Sequence, residues 1–105
     1  MEIVETPIFT RRVADAMTEE EYRSAQIYLV ARPDAGALIP GGGGVRKIRW
    51  LASGRGKRGG SRIIYYWARA DETLLMLYVY EKNESEDLTR DQLKALRSYV
   101  ESEYS

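Results

Sequence analysis

The sequence predicts an α+β domain in the order β-α-α-β-β-β-α, with helices packed on an antiparallel-rich sheet. Three observations predict it. Two stretches have the chemistry of helix starts: "TEEE" from Thr18 and "TRDQ" from Thr89, each a Thr followed three residues later by Glu21 or Gln92. Two β-prone runs, "RIIYYWARA" and "TLLMLYVYE", are separated by little more than Asp71 and Glu72, which reads as an antiparallel hairpin. Leu93, Leu96, Val100 and Tyr104 recur at three- and four-residue spacing, the stripe of an amphipathic C-terminal helix.

Each element follows from local chemistry. "EIVETPIF" is predicted as a first strand, and Pro7, unable to donate a ladder hydrogen bond, marks it as an edge or a strand end. "RRVADAM" follows as a short helix. The helix capped by Thr18 has three acids in its first turn, suited to its dipole, and Tyr22, Ala25, Gln26 and Leu29 on one face. It ends near Arg32, before Pro33. "DAGALIPGGGG" is loop by composition. "VRKIRWLA" reads as a strand with Ile48 and Trp50 on one face and Lys47 and Arg49 on the other. "ASGRGKRGGSR" connects it to the hairpin as a mobile basic loop. Both hairpin strands are apolar on both faces, which places them centrally in the sheet with cover on each side. Trp50 and Trp67 are expected in the core.

The 105 residues suit one domain, 1–105, and at 44% hydrophobic and 30% charged the chain reads as globular. Cys is absent, so neither a disulfide framework nor a thiolate metal site is available. The start, "MEIVETPIFTRRV", lacks a signal-peptide pattern, and the longest apolar run, Leu74 to Tyr80, is far short of the ~20 residues a membrane helix needs. A cytoplasmic protein with no membrane partner is expected.

The zero net charge hides a pattern. Residues 1–34 sum to −3, residues 35–70 carry eight basic and no acidic side chains, and residues 71–105 sum to −5. A central cationic block of this kind is the footprint of a polyanion partner, or else a basic surface paired with the acidic flanks in the fold.

Several chemistries drop out. His is absent, which removes the usual general base, the Ser-His and Cys-His nucleophile pairs and the commonest transition-metal ligand. No metal site and no cofactor are expected. "GRGKRGGS", Gly54 to Ser61, has the spacing of a nucleotide-binding P-loop, but Gly60 stands where that loop needs Lys and a strand follows in place of a helix. The remaining constellation is cationic: Lys47 and Arg49 on one strand face, Arg62 opening the next strand, and Arg55, Lys57 and Arg58 between them. Tyr65, Tyr66 and Trp67 lie beside it, and either Tyr65 or Tyr66, not both, can share its face. Cations interleaved with aromatics suit single-stranded RNA, whose phosphates need neutralising and whose bases stack. The cations sit on strands and loops, and no helix-turn-helix signal supports a DNA-binding regulator.

The segments "ETPIFTRRV", "IPGGGGVRKIRWLASGRGKRGGSRIIYYW" and "LLMLYVYEKNESEDLT" resemble the RelE/HigB-type toxins of bacterial type II toxin–antitoxin modules, the HigB-like branch above all. The resemblance covers essentially the whole chain. It implies a compact toxin fold, a cognate antitoxin, and a ribosome-dependent mRNA endonuclease acting at the ribosomal A site. The message's own 2′-hydroxyl would attack the scissile phosphate without a metal, inhibiting translation and growth. By matching position, the resemblance assigns the reaction to Lys47, Arg49, Arg62 and Lys82 and places Arg55 and Lys57 in the branch's Gly-rich basic loop; with Arg46, Arg58 and Tyr66 of the same patch, these two are the candidates for RNA binding. Lys47, between Arg46 and Arg49, is the candidate general base, since neighbouring cations favour a neutral amine. RelE has a participating Tyr near its C-terminus; Thr89 stands about there in this chain. A non-catalytic RNA- or antitoxin-binding module on the same fold is the alternative.

Overall fold

The computed structural model describes residues 1–51, 60–84 and 87–104. Its elements are β1 (Glu2–Glu5), α1 (Pro7–Ala16), α2 (Glu19–Ala31), β2 (Ala37–Leu38), β3 (Val45–Trp50), β4 (Ser61–Ala68), β5 (Thr73–Glu81) and α3 (Arg90–Tyr104). The α+β prediction holds, with the expected order and one addition, the two-residue β2 inside the predicted loop. The five strands lie in the order β1-β5-β4-β3-β2, antiparallel except for β1, which pairs parallel with β5. The predicted first strand stops earlier than expected. Thr6 caps α1 and Pro7 opens it, because a fixed φ and a missing N–H suit a first helical turn as well as a strand end.

Both Thr-led capping boxes form. The Thr18 hydroxyl accepts from the Glu21 N–H at 3.1 Å while the Glu21 carboxylate accepts from the Thr18 N–H at 2.7 Å. Thr89 and Gln92 repeat the exchange at 3.1 and 2.8 Å. Burial then fixes the layers. α1 and α2 set Phe9, Ala25 and Leu29 against Ile63, Tyr65, Leu74, Met76 and Val79 on one face of the sheet. α3 sets Val100, with Leu93, Leu96 and Tyr104, against Val45, Ile64, Leu75 and Leu77 on the other. Trp50 and Trp67 join the first core as half-buried side chains, as expected.

The hairpin carries one irregularity with large consequences. Tyr65 pairs with Met76, yet the neighbouring Ile64 pairs with Tyr78, so Leu77 is an extra residue on β5. A bulge of this kind changes the phase of the strand beyond it. Strict alternation from Leu74 and Met76 would send Tyr80 into the α1–α2 core. Instead Leu77, Tyr78 and Tyr80 all belong to the α3 side, and Val79 takes the α1–α2 side. Thr6 holds the bulge. Its hydroxyl donates to the Leu77 carbonyl at 2.8 Å and accepts from the Phe9 N–H at 3.1 Å, and its own N–H reaches the Met76 carbonyl at 3.0 Å.

A second tie secures the far end of β5. Arg12 on α1 donates Nε–H to the Val79 carbonyl at 2.7 Å, pairs with Glu84 at 2.5 Å, and lays its guanidinium 4.6 Å from the Tyr78 ring centroid. Glu84 also accepts from the Glu81 N–H at 3.0 Å. That backbone bond first, and Arg12 second, hold the Glu84 carboxyl below its ordinary value of 4.5.

Two outcomes follow for stability. Thr6→Ala should cost about 1–2 kcal/mol in chemical denaturation, the range for a lost helix cap, with Thr6→Ser retaining most of it. Because the folded value of Glu84 is depressed, its contribution is present above the ordinary carboxylate value and is lost as pH falls through the depressed one. The melting-temperature gap between wild type and Glu84→Gln should therefore close on acidification, and a gap unchanged from pH 7 to pH 3 would contradict the assignment.

Candidate functional site

The cationic face is built by strand pairing. Arg49 on β3 stands directly opposite Arg62 on β4, and Arg62 stands directly opposite Tyr80 on β5. One row across three strands therefore reads Arg49–Arg62–Tyr80, on the face that α3 partly covers. The next row reads Lys47–Ile64–Tyr78. The register thus sets two arginines side by side in the middle of the sheet, a concentration of positive charge suited to an anionic ligand. Arg62 is buried, at 9% exposure, whereas Arg49 is exposed. Burial in this row raises the strength of every charge interaction there by lowering the local dielectric.

Lys47 has an anion already. Its Nζ lies 2.6 Å from the Asp87 carboxylate, which itself stands 73% exposed. An ammonium so engaged offers protons and no lone pair. The expected cationic surroundings of Lys47 are thus corrected in two respects: a carboxylate faces it, and Arg46 points away. Arg46 lies on the opposite sheet face, where it donates to the Asp34 and Gly36 carbonyls at 3.1 and 2.7 Å. Period-two alternation dictates that separation. Arg46 is therefore a structural donor and does not join Lys47 and Arg49.

Tyr66 is on the α3 face, but in the row of Val45 and Leu75, where it packs against Tyr104 at a centroid separation of 5.9 Å. The terminal turns of α3 cover it, and it does not meet the Arg49–Arg62 row. Tyr65 faces the other way, as alternation requires, and its hydroxyl accepts from the Gly36 N–H at 2.8 Å and donates to the Pro33 carbonyl at 2.7 Å. A Cβ on Gly36 would fall 2.7 Å from this ring, so the close approach needs glycine there. Lys82 follows β5 and its N–H bonds the Gly60 carbonyl at 3.3 Å, which places it at the same sheet end as Arg62. Gly60 has a φ of 66°, and a Cβ there would lie 2.3 Å from the Trp50 carbonyl oxygen. The backbone itself thus accounts for glycine where a P-loop would have Lys. Arg55, Lys57 and Arg58 lie outside the described residues.

Sequence reasoning missed Asp87 and Tyr80. Asp87 carries no motif, being one acid in the run "ESED". Tyr80 was read as one of seven apolar strand residues, and alternation from the start of β5 assigns it the wrong face, since the bulge has no sequence mark. Its ring is 2% exposed, and its hydroxyl has no hydrogen-bond partner among the described residues. Burial pushes the phenol up, the Asp87 carboxylate adds to that, and the Arg62 guanidinium opposes it. Both charges therefore act on this hydroxyl. Beside Lys47 and Asp87 a groove of about 410 Å³ runs between Leu38, Ile39 and Pro40 on one side and Leu88 and Leu93 on the other. Among the described residues no group of three or more acids, Cys or His is placed to hold a metal ion, and no helix is long and apolar enough to cross a membrane.

The fold and this face define a small α+β protein that presents clustered cations from the middle strands of its sheet beneath the edge of a C-terminal helix. The family model described as the RelE toxin of the RelE/RelB toxin–antitoxin system matches residues 4–104, and the chain belongs to that family. Among solved structures, a chain of the intact Escherichia coli RelBE toxin–antitoxin complex matches with a TM-score of 0.59 at 15% identity, over 76% of this chain and 94% of that one. At that identity the likeness is one of fold.

The Lys47–Asp87 pair gives a direct expectation. A phosphate must compete with Asp87 for Lys47, so Asp87→Asn should tighten binding of a single-stranded RNA oligonucleotide about fivefold, the worth of about 1 kcal/mol for an exposed pair. Lys47 meets the phosphate in both proteins, so the slope of log affinity against log salt should change by less than the about 0.7 of one phosphate contact. Unchanged affinity would remove Lys47 from the RNA-facing set.

Proposed function

We propose that the protein is the toxin of a type II toxin–antitoxin pair, a ribosome-dependent endoribonuclease of the HigB-like branch that cuts translated mRNA in the cytoplasm. The observation that carries this reading is the Arg49–Arg62 pair set in register across β3 and β4, with Lys47 one row away, in a chain of the RelE family. Cleavage of RNA by its own 2′-hydroxyl requires little covalent chemistry from a protein. The 2′-oxygen forms a bond to phosphorus as the bond to the 5′-oxygen breaks, leaving a cyclic phosphate and a free 5′-hydroxyl. One proton leaves the 2′-oxygen and one is gained by the 5′-oxygen. What the protein must supply is alignment and stabilisation of the charge on the phosphate oxygens. Guanidinium groups suit this because they are always charged and can bond two phosphate oxygens at once.

In this reading Arg49 and Arg62 hold the scissile phosphate from the sheet. Lys47 joins them when the phosphate displaces Asp87, and only then does its amine come into reach of the reacting atoms. Lys82, at the same sheet end as Arg62, and the basic segment of Arg55, Lys57 and Arg58 bind flanking RNA backbone. The cognate antitoxin covers this face or part of it; the matched chain's place in a RelBE toxin–antitoxin complex supports a partner of that kind. The family's C-terminal tyrosine has no counterpart at Thr89, whose hydroxyl is engaged as the cap of α3. That engagement favours a second reading, a binding module of the same fold without cleavage.

Induced expression with mapping of message ends separates the two. Cuts inside translated codons together with growth arrest are expected. Intact message alongside retained RNA binding is the result of the binding module. Lys47→Gln, Arg49→Gln and Arg62→Gln together should lower cleavage by at least about 10³-fold, a loss typical of removing charge-stabilising groups, with circular dichroism unchanged. Undiminished cutting by the folded triple variant would refute the site.

A further inference from the structure

Tyr80 is a cost to the fold that the core does not explain. A buried hydroxyl left without a partner destabilises a fold, and phenylalanine would fill the same space without that cost. Its ring is 2% exposed and its oxygen unpartnered among the described residues. The position is also not a default of the strand. Without the extra residue Leu77, alternation would bury Tyr80 among the α1–α2 side chains; with it, the side chain stands directly opposite Arg62. A bulge that re-aims one side chain is a recurrent device beside active sites.

The surroundings supply the second argument. An anion already stands over this corner of the site: the Asp87 carboxylate, 2.6 Å from Lys47. Its negative charge disfavours the Tyr80 phenolate, and the Arg62 guanidinium acts on the same oxygen from the opposite sign. A phenol is protonated at neutral pH in any case, and burial first, with Asp87, favours that form further, so its oxygen carries a proton to donate. A phosphate diester has the same charge as the carboxylate and the same kind of acceptor oxygen. When such a phosphate takes the place of Asp87 at Lys47, it meets cations from β3 and β4 and one neutral O–H donor from β5.

We propose that Tyr80 is a further catalytic residue of this site, its hydroxyl donating a hydrogen bond to a nonbridging oxygen of the scissile RNA phosphate once that phosphate displaces Asp87 from Lys47. The proposal rests on the ribonuclease reading above. It adds a neutral donor to a set of cations, and it accounts for the hydroxyl, the bulge and the Lys47–Asp87 contact together. The bond is made to an oxygen whose charge grows as the 2′-oxygen attacks, so it strengthens toward the transition state.

The test is Tyr80→Phe, with Tyr78→Phe as the control on the same strand and face, assayed on translating ribosomes with mapped message ends and by thermal melting. Tyr80→Phe is expected to lower the cleavage rate about 10²-fold, with KM for programmed ribosomes changed less than threefold and a melting temperature equal to or above wild type. Tyr78→Phe is expected to cut like wild type. Wild-type cleavage by Tyr80→Phe overturns the proposal and leaves the ribonuclease reading standing. A loss of cleavage that tracks a lowered melting temperature, or one shared equally by Tyr78→Phe, assigns the hydroxyl a structural role and also overturns it. Absence of cleavage by the wild-type protein on active ribosomes overturns both the functional reading and the proposal that rests on it.

Discussion

The geometry of the cationic face depends on one hydroxyl at the opposite end of the chain. Thr6 ends β1 and begins α1, and its Oγ1 both caps the helix and binds the carbonyl of the bulged Leu77. The bulge divides β5 into two phases. Before it, Leu74 and Met76 feed the α1–α2 core; after it, Tyr80 stands with Arg62. A one-residue change of phase exchanges every side chain between faces, so loss of the bulge would drive Tyr80 into the α1–α2 core and Val79 out of it. The core composition on both faces opposes that exchange. Thr6 is therefore a local contact that is over-determined by two cores, which is why a side chain so far from the cations in sequence can fix their neighbour.

The sheet also explains how a chain with no net charge concentrates positive potential. The central block, residues 35–70, has eight basic and no acidic side chains, seven of them on β3, β4 and their connection, while every acid lies in the flanking segments. Some of the acidic flank does return to the basic block. Asp87 pairs with Lys47 and Glu84 with Arg12. These contacts differ in kind. Arg12 and Glu84 are tied to backbone groups of β5 and its following turn, so they brace the fold. Asp87 is 73% exposed and meets Lys47 at the tip of a flexible side chain, a pair of the kind that contributes little to stability.

Legibility in the sequence followed the range of the interactions concerned. Helix caps at Thr18 and Thr89, the β4–β5 hairpin and the stripe of α3 are written in residues within a few positions of each other, and all were readable. So was the division of β3, because Ile48 and Trp50 alternate with Lys47 and Arg49. Pro7 rightly marks β1 as an edge strand, but the strand ends at Glu5, sooner than its β-prone run suggests, because strand end and first helical residue share one local cause, a fixed φ without an N–H. The site was readable for the cations and not for their partners. Arg46 looked equivalent to Lys47 until the pleat separated them. Tyr66 looked available until Tyr104, thirty-eight residues on, packed against it. Tyr80 and Asp87 depend on a bulge and on a turn-to-strand contact forty residues apart, and neither leaves a local pattern.

The least stable features of the molecule gather in one place. Arg49 and Arg62 are register partners on neighbouring strands, a phenol is buried with no hydrogen-bond partner among the described residues, and a lysine meets an exposed carboxylate. Elsewhere local propensity, capping and packing agree, with Thr6, Arg12 and Tyr65 each satisfied by more than one hydrogen bond or ring contact. A sequence selected for stability alone would replace Tyr80 by Phe. A local conflict in the row of two arginines, one row from Lys47, is of the kind that marks a functional surface. The RNA phosphate of the proposed reading suits each of these groups: its charge is opposite to that of the arginines and the lysine, and its oxygens can accept from the phenol.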